Sequence, residues 1–60
     1  MLTYALMFSD NGTLVDGEKY ANLDEIRDIA IDLSAETNRR ISIREYFEIS
    51  EKVIETVLPD

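Results

Sequence analysis

The 60-residue sequence contains neither cysteine nor histidine, and these two absences remove much of the usual chemistry of active sites. Histidine is the commonest general base near neutral pH and the commonest ligand of transition metals. Cysteine supplies the best nucleophile and the zinc-binding thiolate, and without it no disulfide bond forms. We therefore expect a cytoplasmic protein, in a reducing compartment, that is not an enzyme and needs no cofactor or metal ion.

Basic residues are also scarce. Six Lys and Arg stand against 13 Asp and Glu, which gives a formal net charge of −7. A chain with this balance repels a phosphate backbone, so we expect no direct binding of nucleic acid. The apolar stretch Met1–Phe8 is too short for a signal peptide or a membrane span, and no basic residue precedes it. We therefore expect no membrane association.

Glycine and proline are rare as well, with two Gly and one Pro, while 45% of the residues are hydrophobic. This composition is ordinary for a folded chain and argues against disorder. A chain of 60 residues forms one domain, which we place at residues 1–60. Because so small a domain buries only about 60% of the surface that its unfolded chain exposes, its stability is marginal and a partner would help.

The clearest element is an amphipathic helix over Asn22–Thr37. Apolar side chains recur at intervals of three and four residues, which places them on one side of the helix. They are Leu23, Ile26, Ile29, Ala30, Leu33 and the methyl group of Thr37. The other side carries the carboxylates Asp24, Glu25, Asp28, Asp32 and Glu36. Asn22 is a good N-cap, and Asn38 can adopt the left-handed conformation that ends a helix.

Alternating apolar and polar residues predict a strand before this helix at Leu2–Phe8. The Asn11-Gly12 pair that follows is typical of a type I′ hairpin turn, because both residues tolerate positive φ angles. A second strand is therefore expected at Thr13–Tyr20. Gly17 inside it indicates a bulge, so we expect this strand to be irregular.

Two further segments follow the helix. Ile41–Phe47 again alternates and predicts a strand. Lys52–Leu58 is ambiguous, because its apolar residues have helical spacing and Ser50 could cap a helix, whereas its β-branched residues favour a strand. We favour the strand, with Glu48–Glu51 as the turn before it and Pro59 after its end.

The predicted order is β-β-α-β-β, an α+β two-layer domain in which one helix packs on one face of a four-stranded, mostly antiparallel sheet. Nothing in the chain covers the other face, so we expect a homodimer through that face or through an unpaired edge strand. Met7, Arg44 and Tyr46 are the predicted interface residues, since Met, Arg and aromatic residues are enriched in interface cores. Which tyrosine lies in the interface depends on the strand register, and a different register would place Tyr4 there instead of Tyr46.

Other charged residues suggest chemistry less strongly. Glu45 and Glu55 fall on adjacent predicted strands, where a close carboxylate pair could raise one pKa enough for acid–base work. A chain this short has little room for a substrate cleft, so we interpret these residues as surface charges. Arg39, Arg40 and Arg44 are close in sequence, and we expect them to neutralise nearby glutamates rather than to bind an anion.

Two functional hypotheses follow. In the first, the protein is a small acidic module that acts through protein–protein contacts, with a second copy of itself as partner. In the second, it is an acidic inhibitor, encoded by a phage or a mobile element, that mimics nucleic acid and occupies the binding site of a DNA- or RNA-binding protein. Carboxylates one helical turn apart would imitate a row of phosphates; they are Asp24, Asp28, Asp32 and Glu36.

Overall fold

The computed structural model describes residues 2–15 and 20–59. Its elements, in chain order, are β1 (Leu2–Phe8), α1 (Leu23–Thr37), β2 (Ile41–Phe47) and β3 (Ser50–Val57). The strands form an antiparallel sheet in the order β1-β2-β3, and α1 packs on one of its faces. The α+β class is therefore confirmed, with the order β-α-β-β.

Helix α1 begins and ends where the sequence predicts. The side chain of Asn22 accepts a hydrogen bond of 3.1 Å from the backbone N–H of Glu25, which satisfies one of the free donors at the helix start. Asn38 ends the helix in the left-handed conformation, with φ 56° and ψ 38°. Ser34, a residue outside the predicted apolar stripe, is buried and donates a 2.7 Å hydrogen bond to the carbonyl of Arg39. This bond ties the last turns of α1 to the approach to β2.

The prediction of a strand at Thr13–Tyr20 is wrong, and with it the four-stranded sheet in the order β-β-α-β-β. The described part of this segment meets β1 only at isolated bridges, which pair Met7 with Leu14 and Tyr4 with Tyr20. Two residues separate the bridged positions on β1, whereas five separate them on the returning segment, so a continuous ladder cannot form. Residues 16–19, which include the predicted bulge at Gly17, lie outside the described residues.

The turn between β1 and this segment also differs from the predicted type. The N–H of Phe8 donates to the carbonyl of Thr13, and the N–H of Gly12 donates to the carbonyl of Phe8, both at 2.9 Å. The loop therefore spans the four residues 9–12 rather than two. Gly12 has a φ of 72°, which glycine adopts without steric cost. The positive φ expected for Gly12 is therefore present, although the turn is two residues longer than predicted.

The C-terminal segment is a strand, as predicted, but it begins earlier. Phe47 pairs with Ser50, so the turn is only Glu48-Ile49, with a φ of 55° at Glu48. A register shift follows between Ile43 and Arg44: their partners on β3 are Glu55 and Val53, which leaves Ile54 as the extra residue of a bulge. The bulge changes which residues of β3 face α1.

The core lies between α1 and the centre of the sheet. Its buried members are Tyr4, Leu6, Ile26, Ala30, Ile41 and Ile43. Partly buried side chains pack around them: Phe8, Val15, Tyr20, Leu23, Ile29, Leu33, Ile54 and Val57. Ile26, Ile41 and Ile43 are fully buried, so the stability of the domain depends on a few apolar side chains from α1, β1 and β2.

Replacing Ile26 by Ala should lower the free energy of unfolding by about 2–5 kcal/mol, because it leaves a cavity in the centre of the core. The same change at Ile31, whose side chain is 54% exposed on the outer side of α1, should alter it by less than about 0.5 kcal/mol. Urea denaturation followed by circular dichroism measures both. Equal losses for the two variants would contradict the observed orientation of α1.

Candidate interaction surface

The sheet has a second face, directed away from α1, which we call the open face. Side chains alternate between the two faces along each strand, and residues paired across strands point to the same face. The register therefore identifies the residues of the open face. These are Thr3, Ala5, Met7, Ser42, Arg44, Tyr46, Glu51, Val53 and Thr56, with Leu14 beside Met7. No helix or strand within the described ranges packs on this face. Met7, Arg44 and Tyr46 thus share one face, while their part in an interface stays a prediction.

Arg44 covers the middle of the open face. One terminal nitrogen of its guanidinium lies 3.6 Å from the sulfur of Met7, and the other lies 3.1 Å from a carboxylate oxygen of Glu51. Beneath it, Met7 and Ala5 are 9% and 2% exposed. The aliphatic stem and planar head of an arginine can cover apolar surface in this way. Met7 therefore supports the open face from below instead of projecting from it.

The guanidinium of Arg44 is only partly satisfied. A guanidinium carries five N–H donors, and a thioether sulfur is a weak acceptor. The Nε atom of Arg44 is buried and has no hydrogen-bond acceptor among the described residues. A buried donor without an acceptor costs about 1–3 kcal/mol. A change in the conformation of Arg44 that gave this donor an acceptor would therefore be favourable.

Hydroxyl groups fill one end of the open face. Ser42 is buried, and its Oγ lies 2.5 Å from Oγ of Ser9 and 3.2 Å from Oγ1 of Thr56. Each hydroxyl can both donate and accept, so the three satisfy one another across two strands and the adjoining loop. This end of the face therefore needs no partner for its polar groups.

Two apolar side chains of the open face are exposed and were not among the predicted interface residues. Val53 is 48% exposed beside Arg44, and Leu14 is 41% exposed beside Met7. The position of Val53 depends on the bulge at Ile54, and that of Leu14 on the four-residue loop. Neither feature has a sequence signal strong enough to fix the register, so the sequence pattern could not assign these residues to this face.

The opposite side of the molecule is strongly acidic. Nearly all described cations pair with carboxylates within 4.0 Å: Arg27 with Asp24 and Glu55, Arg39 with Asp10, Arg44 with Glu51, and Lys52 with Glu45. Four exposed carboxylates on the outer side of α1 have no described cation within that distance, namely Glu25, Asp28, Asp32 and Glu36. We call these four residues the acidic row. No cation among residues 2–15 and 20–59 pairs with these four carboxylates.

The three neighbouring arginines do not form a patch. Arg39 binds Asp10 through two nitrogens, at 2.7 and 3.0 Å, and its guanidinium stacks 3.7 Å from the ring centre of Phe8. Arg44 lies on the open face, and Arg40 is exposed. Arg39 and Arg44 pair with Asp10 and Glu51, so the prediction that nearby glutamates neutralise them is wrong. Those glutamates were Glu36, Glu45 and Glu48.

The predicted carboxylate pair is also separated into two ion pairs. Glu45 lies 3.8 Å from the ammonium group of Lys52, and Glu55 accepts from Nε of Arg27 at 3.1 and 3.2 Å. Each carboxylate therefore has its own cation, and the two do not form the predicted pair. Within residues 2–15 and 20–59, no three carboxylates gather into a group that could hold a metal ion.

Comparison with known proteins gives no family: no protein-family model, no curated protein and no solved structure matches this chain significantly. In the described residues, α1 falls short of the length and apolar character of a membrane-crossing helix. Function is therefore inferred from the surfaces described above.

The salt bridge between Asp10 and Arg39 should make stability depend on pH. The guanidinium of Arg39 donates hydrogen bonds to Asp10 and lowers the pKa of that carboxyl below its ordinary value of 3.8. A lowered pKa in the folded state stabilises the fold above pH ~4, and this contribution is lost as the pH falls through the folded-state pKa. Asp10→Asn should therefore lower the urea midpoint at pH 7 and have little effect near pH 2.

The matched control is Asp28→Asn, which removes an exposed carboxylate of the acidic row. Because Asp28 has no described cation within 4.0 Å, its neutralisation should leave the urea midpoint at pH 7 unchanged or slightly raised. An Asp10→Asn variant as stable as the control at pH 7 would show that the bond to Arg39 contributes nothing.

Proposed function

We propose that this protein is a small, non-enzymatic, cytoplasmic interaction module that acts through protein–protein contacts and forms a homodimer through its open face. The observation that carries the proposal is a sheet with a helix on one side only. Val53 and Leu14 are exposed on the other side, next to Arg44 and the half-buried Tyr46. Interface cores are enriched in Arg and Tyr, which fits the presence of Arg44 and Tyr46 on this face.

The face is a better candidate than the free edge of the sheet. The outer edge of β3 has no paired strand among the described residues. The free N–H and C=O groups of such an edge can pair with a strand of another molecule. However, the bulge at Ile54 interrupts the regular spacing of its backbone groups, and Glu51 and Lys52 place charges along it. Bulges and charged residues, lysine in particular, are the usual devices that prevent pairing between sheet edges.

Substituting Val53 by Lys should convert the dimer to a monomer, because it would place an unpaired charge among the apolar contacts of the interface. The control is Ile49→Lys, the same charge change at a fully exposed residue in the β2–β3 turn, outside the open face. Sedimentation velocity at micromolar concentration measures both, with circular dichroism to verify folding. A monomeric wild-type protein, or equal dissociation by both variants, would refute this use of the face.

A second candidate function is supported by the acidic row. Its four carboxylates recur at intervals of three or four residues along the exposed side of α1, and the described cations do not compensate them. An anionic surface of this form is complementary to the basic groove of a nucleic-acid-binding protein. Asp24, the remaining predicted residue of the mimic face, is partly neutralised by Arg27 at 3.5 Å. This function and the dimer use opposite sides of the molecule.

If the acidic row mimics nucleic acid, immobilised protein should capture nucleic-acid-binding proteins from lysate at low salt, and added duplex DNA should displace them. Asp28→Lys should reduce this capture by ~2–5-fold, the factor that corresponds to roughly 0.5–1 kcal/mol for one exposed charge contact. Glu48→Lys has the same charge change in the β2–β3 turn and should leave capture unchanged. Capture that is insensitive to Asp28→Lys, or to the DNA competitor, would exclude mimicry.

A further inference from the structure

The distribution of charge indicates which side of the molecule can meet a second copy. The chain carries a net charge of −7, and the acidic row concentrates uncompensated negative charge on the outer side of α1. Two copies that met through α1 would bring these carboxylates together, and like charges placed opposite each other across an interface oppose association. The open face carries one cation and one anion among its described residues, Arg44 and Glu51, so two copies of it meet without net repulsion.

Arg44 occupies the centre of this face. The order β1-β2-β3 makes β2 the middle strand, and Arg44 is the fourth of its seven residues. In a two-fold symmetric dimer both partners use the same patch, so residues at the centre of the patch meet their own copies near the axis. Two Arg44 guanidinium groups would therefore approach each other, and their repulsion must be compensated.

Glu51 is placed to provide that compensation. Its carboxylate already lies 3.1 Å from a terminal nitrogen of Arg44, and it remains 53% exposed. Arg44 uses a sulfur atom and one carboxylate oxygen as acceptors, so its terminal nitrogens keep N–H donors that have no strong acceptor among the described residues. A guanidinium with five donors can bind two carboxylates, and a carboxylate can accept from two guanidinium groups. Both residues thus have unused capacity for the same type of partner.

We infer, on the basis of the proposed homodimer, that two Arg44 and two Glu51 side chains form a charge-compensated cluster across the two-fold axis. Each guanidinium binds Glu51 of its own chain and Glu51 of the second copy. The cluster fixes the register of the dimer, while Val53, Leu14 and Tyr46 contribute the surrounding contact area. It also selects a second copy over other acidic chains, because both ions must be present at matching positions.

Two single charge reversals test this arrangement. Arg44→Glu would place four carboxylates at the axis of its homodimer, and Glu51→Arg would place four guanidinium groups there. Each variant alone should dimerise at least ~10-fold more weakly than the wild type. Mixed in equal amounts, they should form a heterodimer, because one copy then supplies two carboxylates and the other two guanidinium groups. Sedimentation velocity with one variant fluorescently labelled measures both quantities.

The double variant R44E/E51R keeps two cations and two anions at the axis and should dimerise within about threefold of the wild type. Because the double variant keeps an ion pair between positions 44 and 51 within each chain, it also controls for loss of folding in the single variants. A wild-type dimer whose single variants do not combine on mixing would overturn the cluster and leave the homodimer in place. A wild-type monomer would overturn the homodimer itself.

Discussion

Packing of α1 against the middle of the sheet is the contact on which the other features of this domain depend. Ile26 and Ala30 are fully buried there against Ile41 and Ile43. The small side chain of Ala30 permits close approach, and the two isoleucines lie in the central strand β2. The described residues contain one helix, so its contact with β1 and β2 forms the hydrophobic core of this small domain.

The position of α1 also divides the molecule into two sides of different character. The face of the sheet under the helix is apolar, whereas among the described residues the open face is covered by its own side chains, chiefly Arg44 over Met7. The described arginines other than Arg40, together with Lys52, bind carboxylates on the sheet, on the loops or at the first turn of α1. The outer side of the helix therefore keeps its negative charge. The proposed homodimer uses the open face, and the proposed mimicry uses the outer side of α1. Because the two proposals use different sides of the molecule, they are compatible.

Part of this arrangement is predictable because it depends on neighbours in sequence. The 3.6-residue period and the caps at Asn22 and Asn38 define α1, since capping bonds form within one turn of the chain. The prediction of a fourth strand was wrong. The Asn11-Gly12 pair indicates a tight turn, but it does not determine whether the chain after the turn pairs continuously with β1. Likewise, no local pattern indicates that Glu55 would bind Arg27 from another element.

The sequence by itself determined the α+β class, the limits of the helix and the alternation of β1 and β2. For the C-terminal segment it favoured a strand but left a helix open. It also determined the net charge of −7 and the acidic outer side of the helix. Tertiary structure alone decided the bulge at Ile54, the exposure of Val53 and the partners of the arginines. Backbone geometry imposes periodicity and capping over a few residues. Strand register and ion pairs instead join residues distant in sequence, so they are selected only when the whole chain packs.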